Sequence, residues 1–204
     1  MAESPETSRV FDRAIQEHLS AIESVRSQQP VLERIAAEMT RAVLGGSKVL
    51  WCGNGGSAAD AQHLAAEFVG RFRRERKGLA SIALTTDTSI LTSISNDYGY
   101  DQVFRRQVEA LCVKGDVLVG ISTSGNSRNV CLALDAGRQL GAFTVAFTGQ
   151  GGGAMAGVVD AILSIASQDT ARVQEAHILC GHILCDWVEI YVCTEQARND
   201  GAAR

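Results

Sequence analysis

Between residues 8 and 28, Phe11, Ile15, His18, Ile22 and Val25 recur at spacings of 4, 3, 4 and 3 among polar neighbours. That period places them on one narrow stripe of a helix, of the kind that packs against other helices, with His18 a structural member. Pro30 opens a second helix, with Val31, Leu32, Ile35, Met39 and Val43 on its apolar face and Gly45-Gly46 as its C-terminal cap. From Lys48 the pattern changes. KVLWC (48–52), ASIALT (80–85), DVLVGI (116–121), FTVAFT (143–148) and AILSIA (161–166) are short apolar runs that read as strands. Helices are expected over 88–95, about 127–139 and about 170–196. Such alternation predicts an α/β fold with a parallel sheet covered on both faces. Ligands bind such sheets beyond the carboxyl ends of the strands. The residues after Cys52, Thr85, Ile121 and Thr148 are therefore expected to share one rim.

Composition narrows the class. The 204 residues suffice for one α/β domain, and no low-complexity linker divides them. Apolar residues make up 46% and charged residues 21%, the balance of a globular chain. A formal charge of −4 gives no electrostatic case for a nucleic-acid partner. No run of about 18 apolar residues predicts a membrane span. The N-terminus, MAESPETSRVFDRAIQEHL, is polar and lacks the apolar core of a signal peptide, so a cytoplasmic protein is expected. Cysteines 52, 112, 131, 180, 185 and 193 form no Cys-x-x-Cys and read as small buried hydrophobes.

Two loops on the expected rim are chemically distinctive. Gly53-Asn54-Gly55-Gly56-Ser57 breaks an apolar run and leads straight into a helical pattern. ISTSGNS (121–127) supplies hydroxyls at Ser122, Thr123, Ser124 and Ser127, and Gly125 lets backbone approach closely. A helix start offers free N–H groups and partial positive charge, which suits a phosphate dianion. An ordinary Ser-rich N-cap is the plainer reading. A G-x-x-x-x-G-K-[ST] nucleotide loop is missing. Gly53-x-Gly55-x-x-Ala58 meets a permissive dinucleotide fingerprint, but the acid it needs falls at Glu75 inside RFRRERKG, which is no strand.

His63 and Glu67 are one helical turn apart and share a face. Gln174, Glu175, His177 and His182 lie on the last, mostly apolar helix, where a histidine is expected to be either packed or functional. Gln174 and His182 are about 12 Å apart along a regular helix. Joint service at one centre would require a deformed helix or neighbouring chains. RFRRERKG (71–78) is expected to be solvated, except Arg71, which follows Glu67 on the same helical face. Asn96-Asp97 either cap the following helix or reach sugar hydroxyls near the rim.

Taken in order, CGNGGSAADAQHLAAEFVGRF, TTDTSILTSISNDYGY, GISTSGNS and RVQEAHILCGHIL strongly resemble the phosphoheptose (sedoheptulose 7-phosphate) isomerases of the sugar isomerase (SIS) fold, over about residues 8–195. The resemblance implies a three-layer SIS-type fold: a five-stranded parallel sheet flanked by helices, with N-terminal helices packing in the oligomer. It implies one SIS domain over 1–204, with a helical segment at about 8–45 and an α/β core at about 46–197. It also implies a homotetramer with sites at subunit interfaces, and interconversion of D-sedoheptulose 7-phosphate and D-glycero-D-manno-heptose 7-phosphate, the first step toward bacterial heptose nucleotides. By position, Glu67 and His182 would be the catalytic pair. Ser122, Thr123, Ser124 and Ser127 would bind phosphate, while Asn54, Gly55, Gly56, Glu67, Asn96, Asp97 and Gln174 would contact substrate. His63, Glu67, Gln174 and His182 would hold one Zn2+ per subunit. The alternative is a non-catalytic phosphosugar-binding relative that associates with the replication initiator protein and lacks the Glu67/His182 pair.

Overall fold

In the computed structural model, which describes residues 5–202, five parallel strands form one sheet. Residues 1–4 and 203–204 of the expected 1–204 domain lie outside the described residues. The strands are β1 (Val49–Gly53), β2 (Ser81–Ala83), β3 (Val117–Ser122), β4 (Phe143–Thr148) and β5 (Ala161–Ser164), in the spatial order β2-β1-β3-β4-β5. Each lies on its predicted run, with β1 and β3 extending one residue past it, to Gly53 and Ser122. The helices are α1 (Pro5–Ser24), α2 (Gln29–Leu44), α3 (Gly56–Val69), α4 (Thr88–Tyr98), α5 (Val103–Leu111), α6 (Arg128–Gln139) and α7 (Thr170–Ala202).

The alternation of a strand explains the three layers. Val49 and Trp51 of β1 join the core shared with α2, α3 and α7, while Leu50 and Cys52 join the opposite core with α5 and α6. Both sets are buried, which is why the runs read as continuously apolar. Each such side chain contributes about 1.5–3 kcal/mol on leaving water. One helix, Thr170–Arg198, is long and apolar enough to cross a bilayer by length and composition. Half of its most apolar window is buried within the fold, as expected of a core helix.

Helix boundaries differ from expectation where polar side chains take tertiary work. The first helix starts at Pro5 and ends at Ser24, followed by a 3-10 turn at Val25–Gln28. At that break Ser24 Oγ accepts from the Ala166 amide (3.3 Å) and Gln28 Oε1 from the Ser164 amide (3.2 Å), tying the turn to edge strand β5. His18 Nδ1 lies 2.7 Å from Glu175 Oε2, which joins α1 to α7. Phe11 remains 66% exposed, and Val10, Ile15 and Leu19 are exposed beside it. The α5 helix was not foreseen. Its pattern is short and charged, yet Val103, Phe104, Gln107 and Val108 are buried on one side.

The expectation of a solvated RFRRERKG holds at Arg71, Arg73, Glu75, Lys77 and Gly78, which are exposed, and fails at Arg76. The Arg76 and Glu189 side chains are each 1% exposed and 3.1 Å apart. Glu189 accepts from the amides of Phe72 (2.7 Å), Arg73 (2.8 Å) and Arg74 (2.9 Å). The segment is charged because it wraps a buried carboxylate from α7, and composition alone cannot distinguish that from a solvated turn. Arg71, set apart from the solvated run, is itself exposed, 3.5 Å from Glu75.

His177 is buried beneath β4, with Nε2 3.1 Å from the Thr148 carbonyl. Burial lowers its pKa to about 4, with the Thr148 carbonyl opposing. Above about pH 6.5 the imidazole is neutral in both folded and unfolded chains. Below that, the unfolded chain takes up a proton that the folded one refuses. Unfolding titrations in urea are therefore expected to show stability falling by about 3 kcal/mol between pH 6.5 and 4 from this group, less in His177→Gln.

Candidate active site

The strand order reverses direction between β1 and β3, and the crevice at such a switch point is where this class of sheet binds ligands. The loops after these two strands meet there. After β1, Gly55 adopts φ +56°, ψ −122°, a conformation that disfavours any side chain, and α3 begins at Gly56 with no side-chain cap. After β3, Ser122 Oγ lies 2.8 Å from Ser127 Oγ and 3.4 Å from Ser124 Oγ. Ser127 occupies the N-cap of α6 but makes no capping hydrogen bond. The plainer reading of ISTSGNS as a helix cap therefore fails. Ser122, Ser124 and Ser127 turn their hydroxyls to one another rather than to α6, and among its first amides Val130 N meets Asn129 Oδ1 (3.0 Å) while no serine caps the others, an arrangement that suits an anion cradle.

Neighbouring loops hold this cradle in shape. Gly125 has φ +66°, and a side chain there would collide with the backbone of Gly152. Its carbonyl accepts from Met155 N (3.0 Å), while Asn126 Oδ1 accepts from Ala154 N (2.9 Å). Asn54 and Asn129 form a reciprocal amide pair (3.0 and 2.9 Å) that joins the β1 loop to α6. The Tyr100 hydroxyl donates to Asn54 Oδ1 at 3.0 Å. Gln174 closes the same rim: a Cβ added to Gly56 would stand 2.5 Å from Gln174 Nε2.

A second cluster sits further along α3, where that helix crosses α7. His63 Nε2 is 2.8 Å from His182 Nε2 and 3.5 Å from Glu67 Oε1. The reason lies one residue away. A Cβ on Gly181 would approach Leu64 Cδ2 to 2.5 Å, so a glycine in α7 lets the helices close until the adjoining histidines touch. Phe72 stacks on the His182 ring, with centroids 5.3 Å apart and planes at 14°. Burial first, then the facing His63, lowers the His182 pKa below the usual histidine value despite Glu67. Near neutral pH it is thus an uncharged imidazole. On α3, one turn before His63, Asp60 has a buried Oδ2 with no partner, and burial raises its pKa to about 6 against the pull of His63.

The candidates thus fall into two groups. Ser122, Thr123, Ser124, Ser127, Asn54, Gly55, Gly56 and Gln174 belong to the rim, while His63, Glu67 and His182 belong to the helix crossing. Gln174 lies at Gly56, about 10 Å of helix before His63, and α7 runs unbroken through Thr170–Ala202. A deformed helix is thereby excluded as the way to unite Gln174 with His182. Among the described residues no three His, Cys, Asp or Glu side chains already form a metal-binding group. Asn96 and Asp97 do not cap a following helix. They lie exposed in the last turn of α4 and bond to each other (2.8 Å). Asn129, Tyr100, Phe72, Arg76 and Glu189 were not foreseen in these roles. Tyr100, Phe72 and Arg76 stood inside quoted stretches, and nothing in their spacing marks the contacts.

The description "SIS domain" is matched by residues 11–149 of the chain. Phosphoheptose isomerase of Roseiflexus sp. (strain RS-1) is 57% identical, over 81% of this chain and 84% of that protein. Phosphoheptose isomerase of Aquifex aeolicus is 50% identical, over 91% and 95%. The phosphoheptose isomerase structure from Neisseria gonorrhoeae superposes with a TM-score of 0.83 at 44% identity, covering 90% of this chain and 98% of that one.

Replacing Gly181 by Ala is expected to force α7 off Leu64, costing about 1–3 kcal/mol. Thermal denaturation should show a lowered midpoint; an unchanged midpoint would mean that the crossing has slack.

Proposed function

This chain belongs to the phosphoheptose isomerase family of SIS-domain proteins, and on that premise we propose how its two clusters interconvert D-sedoheptulose 7-phosphate and D-glycero-D-manno-heptose 7-phosphate. The observation that carries the proposal is the pairing of an uncapped, hydroxyl-lined helix start with a separate carboxylate–imidazole group. The serine loop takes the phosphate through Ser122, Thr123, Ser124, Ser127 and the first α6 amides. Asn54, Gly55, Gly56 and Gln174 meet the sugar chain. Asn96 and Asp97, exposed on α4, are assigned to hydroxyl contacts in the assembled site.

Aldose–ketose isomerisation moves a proton between C1 and C2 through an enediol-like intermediate. Glu67, as carboxylate, removes the proton from carbon and returns it to the neighbouring carbon. His182 exchanges a proton with the carbonyl oxygen, a role suited to an imidazole that is neutral at rest. Each such transfer is worth about 10²–10⁴-fold, and the phosphate grip fixes the reacting end in place. The presence of Glu67 and His182 on facing helices favours an enzyme over a non-catalytic phosphosugar-binding module.

The helix-face group stands well along α3 from the rim, since Gly56 to Glu67 is about 16 Å of helix. We assign the completed site to two subunits of a homotetramer: the rim of one protomer faces the His63–Glu67–His182 group of a neighbour. The exposed Phe11 stripe of α1 supports such assembly, as does a cavity of about 250 Å3 lined by Ile22, Val25, Leu32, Leu179, Ile183 and Trp187. His63, Glu67 and His182 are donor types that suit Zn2+, and although they do not form a ready metal-binding group in one chain, Gln174 of the facing subunit would complete the set. Glu67 and His182 carry no proton while coordinated, so bound zinc would either release them and supply Lewis-acid stabilisation of the charge developing on the carbonyl oxygen, or serve as a structural tie. A cytoplasmic location accords with a phosphorylated substrate and unpaired cysteines.

The direct test is turnover of sedoheptulose 7-phosphate with and without chelator, alongside metal analysis. Glu67→Gln and His182→Ala are each expected to lower kcat by at least about 10²-fold while the oligomer stays folded. Near-normal turnover in either variant contradicts the assigned pair. Ser124→Ala is expected chiefly to raise KM; an unchanged KM contradicts the phosphate assignment.

A further inference from the structure

The buried ion pair between Arg76 and Glu189 is larger than a turn or a helix end requires. Replacing such a pair by apolar residues is often neutral or stabilising, so its burial alone does not explain its presence. Its hydrogen bonds run to particular places. Glu189 grips the amides of Phe72, Arg73 and Arg74. Arg76 donates to the carbonyls of Glu67 (2.8 Å), Phe68 (2.8 Å), Gly70 (3.0 Å) and Lys77 (3.2 Å). One end of the pair thus fixes the backbone that carries Phe72, and the other fixes the last turn of α3, which carries Glu67.

Phe72 is where this brace meets chemistry. Its ring lies nearly parallel to the His182 imidazole, and the Arg73 guanidinium sits 5.0 Å from the Phe72 centroid. Arg73 is in turn 3.3 Å from Asp186, four residues after His182 on α7. His63 packs against His182 edge-on, with centroids 5.1 Å apart and planes at 79°. The imidazole therefore has one neighbour on its flat face and another at its Nε2. A ring held on its face cannot swing its Nε2 away from the reacting oxygen. The three backbone bonds from Glu189 keep the Phe72 ring at that height.

We propose that Phe72 is a positioning residue for His182, and that the Arg76–Glu189 brace sets Phe72 and Glu67 together, so that acid and base keep one mutual geometry. The proposal rests on the assignment of Glu67 and His182 as the proton-transfer pair. It assigns the brace to the orientation of reacting groups, beyond its part in the fold. Burial works to raise the Glu189 pKa, yet the three amides and Arg76 outweigh it and hold the carboxylate ionised, so the brace persists across neutral pH.

Removing Glu189 or Arg76 risks unfolding the segment, so the test uses Phe72→Leu and Phe72→Tyr in the full-length protein. Phe72→Leu keeps apolar bulk and loses the flat face; Phe72→Tyr keeps both. For Phe72→Leu, kcat is expected to fall about 10–100-fold with KM within about twofold, while Phe72→Tyr retains near-parental kcat. In NMR spectra of histidine-labelled protein, the His182 ring protons should move downfield in Phe72→Leu as the ring-current shielding is lost. An unchanged kcat in Phe72→Leu, or unmoved His182 resonances, overturns the proposal. The two readings separate cleanly. If His182→Ala keeps its turnover while Phe72→Leu moves the His182 resonances, the error lies in the catalytic assignment. If His182→Ala is inactive and Phe72→Leu is not impaired, the error lies in the positioning role.

Discussion

The closeness of α3 and α7 at Leu64 and Gly181 is the constraint on which the chemistry depends. Two helices carrying ordinary side chains at the crossing would stand further apart, and His63 would not reach His182. Leu64 is fully buried, so it cannot yield space without disturbing the core beneath it. The contact therefore transmits the packing of the sheet into the placement of reactive groups. The same buried face that makes α7 a core helix fixes where its histidine emerges.

The rim is built on a different principle. There, in the proposed site, backbone groups would meet the phosphate, and glycines and serines leave them accessible. An unpartnered helix start is stable in a folded protein only if water or a ligand satisfies it. The loops after β1 and β3 provide two such starts beside the switch point of the sheet. The amide pair of Asn54 and Asn129 keeps the loops in register with each other. A phosphate bound there meets dipoles already oriented toward it, so little reorganisation is needed on binding.

The sheet was legible because its strands are buried on both faces, which leaves an unbroken apolar run between turn residues. The serine loop was legible because its hydroxyls exceed what capping needs. Glu67 and His63 share a face by simple helical period, and His182 came from family resemblance. What could not be seen was long-range. No pattern in RFRRERKG reveals that Glu189, more than a hundred residues later, takes three of its amides. Neither does the chain show that Gly181 in α7 faces Leu64 in α3. The α5 helix was missed because four buried residues in a short charged stretch give too weak a period. Charge runs read as solvated by default, and here a buried counter-charge reverses that reading at Arg76 while most of the run stays exposed.

The most direct measurement of the account is complementation between subunits. Protein carrying Glu67→Gln would be dissociated and reassembled with protein carrying Ser122→Ala, Ser124→Ala and Ser127→Ala together, and turnover measured at low substrate. If the serine loop of one protomer serves the carboxylate and imidazole of its neighbour, mixed assemblies regain activity that neither parent shows. Hybrids that form but stay as inactive as their parents would place both halves of the site in one chain and contradict the account.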